Sequence, residues 1–329
     1  MERKKMQCRF CGTVSTMEEG DFQPDPNGRG FWCEVCDGFT YYDHIKDRHR
    51  FILILEEKAT AAVSSTKTNK KFNKRLSPYR YPGGKSKIID YLYLHLQKLK
   101  TGKLISPFTG GGSFELAMLD AGVVQSLHLN DLDFGVFSFW YMVKHAPFAI
   151  IEKIRSIVPT HEDFFKAQEL IKADYRNVDM VDAAWASLLV NRLAYSGIYK
   201  ANPIGGKHGS QEKLLCRWKP DELIRRIERI HKLSDRIEVT NENAVDLIEE
   251  AYWRDDATIF IDPPYVKKGK DLYPCHYDKQ DHIDLAVLLD SLYHGCPGAD
   301  IIVTYDYNDW LYNLYLYPEV KKIERRYSA

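Results

Sequence analysis

The run Thr258-Ile259-Phe260-Ile261 is built from strand-favouring residues and ends abruptly in Asp262-Pro263-Pro264-Tyr265. Two prolines cannot continue a central strand, so the chain turns rigidly and leaves Asp262, the Pro263 carbonyl and Tyr265 at the carboxyl edge of a sheet. A carboxylate and a fixed carbonyl then present two acceptors at that edge, with an aromatic ring beside them. Taken alone, a strand-terminating turn has the same residues.

A second group lies upstream. Phe108-Thr109-Gly110-Gly111-Gly112 closes a predicted strand over 103–108. Ser113 stands where an N-cap would open a helix over 113–120, with Gly122 as its stop. Glycines between strand and helix let a ligand approach the backbone, and the helix N-terminus favours a carboxylate or phosphate. Twenty residues after Gly111, Asp131 follows a second predicted strand, 125–129. An acid there accepts hydrogen bonds from ribose hydroxyls, so the pair points to a cofactor containing a nucleoside. The dinucleotide pattern does not fit, because Phe114 and Glu115 stand where its third glycine belongs.

A third group is Tyr79-Arg80-Tyr81-Pro82-Gly83-Gly84-Lys85-Ser86. Its Gly-Lys-Ser resembles a phosphate-binding loop, but Tyr79 replaces the leading glycine and a basic stretch replaces the preceding strand. Lys85 beside a glycine turn reads better as the charge partner of a ligand carboxylate.

Cys8, Cys11, Cys33 and Cys36 form two Cys-x-x-Cys knuckles, the spacing of a closed tetrahedral zinc site with a structural role. Residues 1–58 therefore read as a zinc ribbon, too small to fold without its metal. Phe31-Trp32 and residues 39–42 read as its flanking strands. Cys216, Cys275 and Cys296 read as ordinary reduced residues. Residues 59–75 have linker composition, and Thr66 to Lys87 carries eight Lys or Arg and no acid, as a solvated tether or a phosphate-contacting arm would.

The elements that must position these groups follow from pattern. Helices are predicted over 86–99, 244–253 and 280–293, and strands over 236–240, 257–261 and 300–304. Residues 133–236 read as mostly helical, broken by a polar loop over 195–219. Strands separated by helices give an α/β, mostly parallel sheet with helices on both faces, and ligands bind at its carboxyl edge. The 329 residues are 44% hydrophobic, enough for a sizeable core. Lys plus Arg and Asp plus Glu both number 46, which excludes a globally basic coat for nucleic acid. No apolar run approaches the ~20 residues of a membrane helix, and Met1-Glu2-Arg3-Lys4-Lys5 does not open a secretory signal, so a cytoplasmic, reduced protein is expected.

Tyr81-Pro82-Gly83-Gly84-Lys85, Phe108 to Gly112, Asn130-Asp131 and Asp262-Pro263-Pro264-Tyr265, in that order, resemble the Dam-like (D12 class) N6-adenine-specific DNA methyltransferases. Asn191-Arg192-Leu193-Ala194-Tyr195-Ser196-Gly197-Ile198-Tyr199 is similar to that family's target-recognition region. The resemblance covers 76–329. It implies a Rossmann-like methyltransferase sheet, with a mainly helical recognition insert over about 140–235. It also implies S-adenosylmethionine as cofactor and double-stranded DNA as partner. Tyr81 and Lys85 would meet the methionine end, Phe108, Thr109, Gly110, Gly111 and Gly112 would wall the cofactor, and Asp131 would hold the ribose. Asn243-Ala244 fall at the adenine-side position, where the family usually has an acid followed by an aromatic residue. Asp262 and the Pro263 carbonyl would grip the target amine, and Tyr265 would stack on the flipped base. Arg192, Lys200, Lys207, Lys267 and Lys268 are the candidate DNA contacts. The rivals are an N4-cytosine or RNA adenine methyltransferase, or a non-catalytic zinc-ribbon module that binds nucleic acid. A restriction-system partner is not readable from the residues. The sequence stops inside what resembles the family's last strands, so an unpaired sheet edge is expected.

Overall fold

Phe51–Lys58 (β6), Lys103–Ser106 (β7), Ser126–Asn130 (β8), Ile237–Thr240 (β9), Ala257–Ile261 (β10), Asp300–Asp306 (β11) and Glu319–Arg325 (β12) form one sheet in the order β12-β6-β11-β10-β7-β8-β9. Every neighbouring pair is parallel. The computed structural model describes residues 4–7, 14–17, 23–25, 28–35, 39–41, 50–58, 68–81, 83–96, 101–254, 256–266, 274–295, 298–315 and 318–325.

The strands read as apolar runs because both faces are covered. On one face Ile52, Ile54, Leu104, Leu127, Phe260 and Ile302 pack in one core with helices Ile89–Tyr93 (α1), Ser113–Asp120 (α2), Phe134–His145 (α3), Pro147–Ser156 (α4), His161–Lys172 (α5), Met180–Leu193 (α6) and Pro220–His231 (α8). A short helix, Gln211–Leu215 (α7), precedes α8 and adds Leu214 to that core. On the other face Phe51, Leu53, Ile105, Ile259, Ile301 and Val303 pack against Ala244–Ala251 (α9), Lys279–His294 (α10) and Asp309–Leu314 (α11). The two-residue alternation of strands has a consequence at the carboxyl edge. On the first face Ile54 is followed by Glu56, Leu104 by Ser106, Phe260 by Asp262 and Ile302 by Thr304. Four polar side chains thus sit together above the apolar layer.

The prediction over 257–261 matches β10, and the helical stretch after residue 133 is α3 to α8, inserted between β8 and β9. The cap of α2 differs. Gly112, in the left-handed region at φ 56°, is the N-cap, and Ser113 is already helical. The helix predicted over 86–99 is a 3-10 turn, Lys85–Lys87, followed by α1.

The division of the chain at residue 58 is overturned by β6. Phe51 to Leu55 are 0–5% exposed and lie between β11 and β12, so this strand belongs to the large domain. The edge expected from the sequence falls at β12, which pairs with β6 from Glu319↔Ile52 to Arg325↔Lys58 and ends the sheet order on that side.

Before Arg50, Lys4–Gln7 (β1) pairs antiparallel with Val14–Met17 (β2), and Gln23–Asp25 (β3), Gly28–Trp32 (β4) and Phe39–Tyr41 (β5) form a second small antiparallel sheet. Cys33 is buried. Cys8, Cys11 and Cys36 lie outside the described residues, and among the described residues no group of three His, Cys, Asp or Glu could hold a metal. No single helix among them is long and apolar enough to cross a membrane. The apolar pair α3 and α4 is bent by 105° and packs in the core.

Candidate active site

β10 runs buried along its whole length into Asp262-Pro263-Pro264-Tyr265, which bring Asp262 and Tyr265 to the wall of an open cleft. The cleft measures about 990 Å³ including its open mouth. The glycine loop, Tyr81, Lys85, Asp131 and Asn243 line the same cleft. All three sequence groups therefore meet.

The loop after β7 is held from several sides. Thr109 N donates to the Asn130 carbonyl (2.9 Å), and Trp140 Nε1 donates to the Gly110 carbonyl (3.0 Å). Gly110 takes φ 46°, and a Cβ there would stand 3.1 Å from the Tyr81 ring. Glycine thus serves both the turn and the close approach of the ring. Asp131 anchors the loop: its Oδ2 accepts from Gly110 N (2.7 Å) and its Oδ1 from Asp133 N (3.0 Å). Burial, and then the Asp133 charge, push the Asp131 carboxyl up to about 7. Asn243 caps α9, its Oδ1 accepting from Val245 N (2.8 Å), and lines the cleft beside Ala244.

Tyr81 and Gly84 close the third group as a turn, Gly84 N donating to the Tyr81 carbonyl (3.0 Å). Gly83 takes φ 76°, and a Cβ on it would fall 1.9 Å from Tyr265 Oη, so the turn is packed against the tyrosine that follows β10. Lys85 is 4% exposed. Its Nζ lies 2.7 Å from Asp262 Oδ1 and 3.0 Å from Glu56 Oε1, and donates to the Gly83 carbonyl (3.1 Å). The ammonium thus faces two carboxylates and one carbonyl. Its acidic partners within the chain are Glu56 and Asp262. Thr304 Oγ1 also donates to Asp262 Oδ1 (2.8 Å). Burial raises the Asp262 carboxyl from its ordinary value, Lys85 opposes that, and the Glu56 charge adds to it.

Two acids of the site escaped the sequence reading. Glu56 is one; the other is Glu115, which is 3% exposed, lines the cleft and accepts from Ser106 Oγ (2.7 Å). Its signal is an acid inside Phe114-Glu115-Leu116-Ala117-Met118-Leu119, a run buried throughout. Burial pushes the Glu115 carboxyl from 4.5 up to about 7. The folded state then binds a proton that the unfolded chain has released, so stability falls as pH rises from about 4.5 through 7. Glu115→Gln is expected to remove this slope, worth on the order of 2–3 kcal/mol between pH 4.5 and 8. Melts of both proteins across that range check it; parallel curves would contradict it.

Among the expected DNA contacts, Arg192 is overturned. It is 6% exposed, and its guanidinium donates to the carbonyls of Pro78 (3.3 Å) and Arg217 (2.6 Å). Burial, with Arg80 and Arg226 nearby, lowers its pKa to about 10. Arg192 ties the segment before Tyr81 to the helical insert. Its neighbour Asn191 does the same, accepting from Arg80 N (2.7 Å). Lys200 and Lys207 are exposed on the insert, whereas Lys267 and Lys268 lie outside the described residues.

Residues 81–329 match the family model of the D12 class N6 adenine-specific DNA methyltransferases. The chain is also similar to the type II methyltransferase M.MjaIII of Methanocaldococcus jannaschii, with 23% identity over 263 residues, which cover 74% of this chain and 89% of that protein.

Proposed function

We propose, from the premise that this chain belongs to the D12 class N6 adenine-specific DNA methyltransferase family, that the cleft grips a flipped adenine of double-stranded DNA by its exocyclic amine. One observation carries the reading: Asp262 stands at the end of β10 in the same cleft as the glycine loop, oriented by Lys85 and Thr304.

S-adenosylmethionine, which the family uses, supplies an electrophilic methyl group when bound. The residues present fit it. Gly110 and Gly111 leave the loop open where side chains would meet Tyr81. Asp131 retains acceptor capacity for ribose hydroxyls beyond its two backbone contacts, and Asn243 with Ala244 lines the same cleft.

The adenine amine is a poor nucleophile because its lone pair is delocalised into the ring. Both contacts of Asp262 described above fall on Oδ1, which leaves Oδ2 to accept one amine N–H. The Pro263 carbonyl accepts the other. Two acceptors draw the amine toward tetrahedral geometry and localise the lone pair for in-line attack, and Asp262 takes the proton released as the new N–C bond forms. Alignment and preorganised charge supply most of the rate. Tyr265, packed on Gly83, offers the face on which the flipped base stacks. Lys200 and Lys207 supply phosphate contacts.

Similarity to a type II methyltransferase supports a site-specific enzyme paired with a restriction activity. The hairpins support the zinc ribbon: Gln7 pairs with Val14 and Trp32 with Phe39, so paired strands bracket both Cys-x-x-Cys segments. The thiolates that zinc requires fit a cytoplasmic setting. The purified chain is expected to carry about one zinc, lost in Cys33→Ser; metal analysis showing none would remove the ribbon reading.

Labelled methyl transfer to a random-sequence duplex pool, followed by base analysis, tests the function. Label in N6-methyladenine at a defined sequence is expected; label in cytosine, or transfer to RNA instead, would overturn it.

A further inference from the structure

The matched family region begins at residue 81, yet one carboxylate of the site comes from far upstream. Glu56 ends the buried part of β6, is 2% exposed, and places Oε1 3.0 Å from Lys85 Nζ. Lys85 is thereby held between two acids, Glu56 and Asp262. Strand register fixes this. β6 pairs with β11 through Thr304↔Ile54 and Asp306↔Glu56, which sets Glu56 one alternation beyond Thr304, the residue that donates to Asp262.

A lone lysine at 2.7 Å would neutralise most of the charge on Asp262 and weaken it both as acceptor and as base. A second carboxylate on the same ammonium divides that cation. We propose that Glu56 is a positioning residue for methyl transfer, which holds Lys85 off-centre so that Asp262 keeps its orientation from the cation without losing its strength as an acceptor. The proposal rests on the reading of Asp262 as the amine-gripping acceptor. The charge that Glu56 exerts on Asp262 acts in the same sense. The other titratable groups facing Asp262 are Lys85 from the glycine turn, Glu115 from α2 and Tyr305 from β11. Asp306 lies in register beside Glu56.

The test compares full-length wild type, Glu56→Gln and Glu56→Asp. In Glu56→Gln, Lys85 turns wholly to Asp262, whose carboxyl then titrates lower. The acid limb of the kcat–pH profile is expected to move down by roughly half to one unit, with kcat at neutral pH falling by up to about three- to tenfold. The dissociation constant for S-adenosylmethionine stays within about twofold, since Glu56 does not line the cleft. Glu56→Asp restores part of the rate. Carboxylate NMR titration of Asp262, with Asp262→Asn assigning the signal, reads the same shift without any turnover. An unmoved Asp262 titration in folded Glu56→Gln, with activity falling only as far as thermal stability does, overturns the proposal while leaving the methyltransferase reading intact. A shifted Asp262 titration in a protein that methylates no DNA upholds the coupling and sinks the reading of Asp262 on which the catalytic role rests.

Discussion

Asp262→Ala is expected to reduce methyl transfer by roughly 10²–10⁴-fold or below detection, while S-adenosylmethionine binding changes only a few-fold. The substitution removes the only side-chain acceptor proposed for the amine and leaves the Pro263 carbonyl alone. It does not strand a charge, because Lys85 keeps Glu56 as a partner. The variant should therefore fold, and the loss should fall on kcat rather than on cofactor affinity. Asp262→Asn keeps the shape and one neutral acceptor, and should retain more rate than alanine but less than wild type. Single-turnover methylation of duplex DNA, with calorimetry for the cofactor, reads both. Wild-type turnover in Asp262→Ala would remove Asp262 from the mechanism.

Lys85→Ala has the opposite character, because its largest effect is on stability. It takes the cation from between Glu56, 2% exposed, and Asp262, and leaves two acids facing each other in a largely buried site. Removing one partner of a buried ionic group costs about 3–5 kcal/mol. The sign with pH follows from the acids left behind. Without Lys85, which opposes the effect of burial on Asp262, the Asp262 carboxyl rises further, so it holds a proton that the unfolded chain gives up. The deficit is then smallest in acid and grows as pH rises through the raised value of Asp262. Urea melts at pH 5 and pH 8 check this: the gap between wild type and variant should be clearly larger at pH 8. Adding Glu56→Gln to Lys85→Ala should recover part of the loss at pH 8. A gap independent of pH would mean that lost packing, not lost charge, is the cause.

The parts of the site that were legible in sequence are those whose chemistry is local. A strand cannot pass Pro263-Pro264, and a triple glycine between strand and helix cannot be mistaken for a surface loop once Asp131 follows at the next strand's end. β10, α2 and β8 were found within a residue or two for that reason. What was missed depended on distance. Phe51-Ile52-Leu53-Ile54-Leu55 has the continuous apolar run of a strand covered on both faces, but the polar linker after it assigned it to the ribbon. Nothing in that run announces partners some 250 residues away. Glu115 and Arg192 were misjudged for the converse reason. Each sits in a helix surrounded by protein on all sides, where a charged residue in an apolar run marks a buried contact rather than a wet face. Position 115 thereby became a cleft acid, and position 192 became a clamp on Pro78 and Arg217.

The placement of β6 also orders events in time. Arg50 N donates to Asp300 Oδ1 across 250 positions, and β6 has its neighbours in β11 and β12. Those neighbours follow β7 to β10 in the chain, so during synthesis the early strand waits while β7 to β10 emerge without its partners. Closing so long a loop makes this pairing a late, slow step. The same step delivers Glu56 to Lys85, so until β6 is paired Lys85 faces Asp262 alone and the second carboxylate that shares the cation is missing.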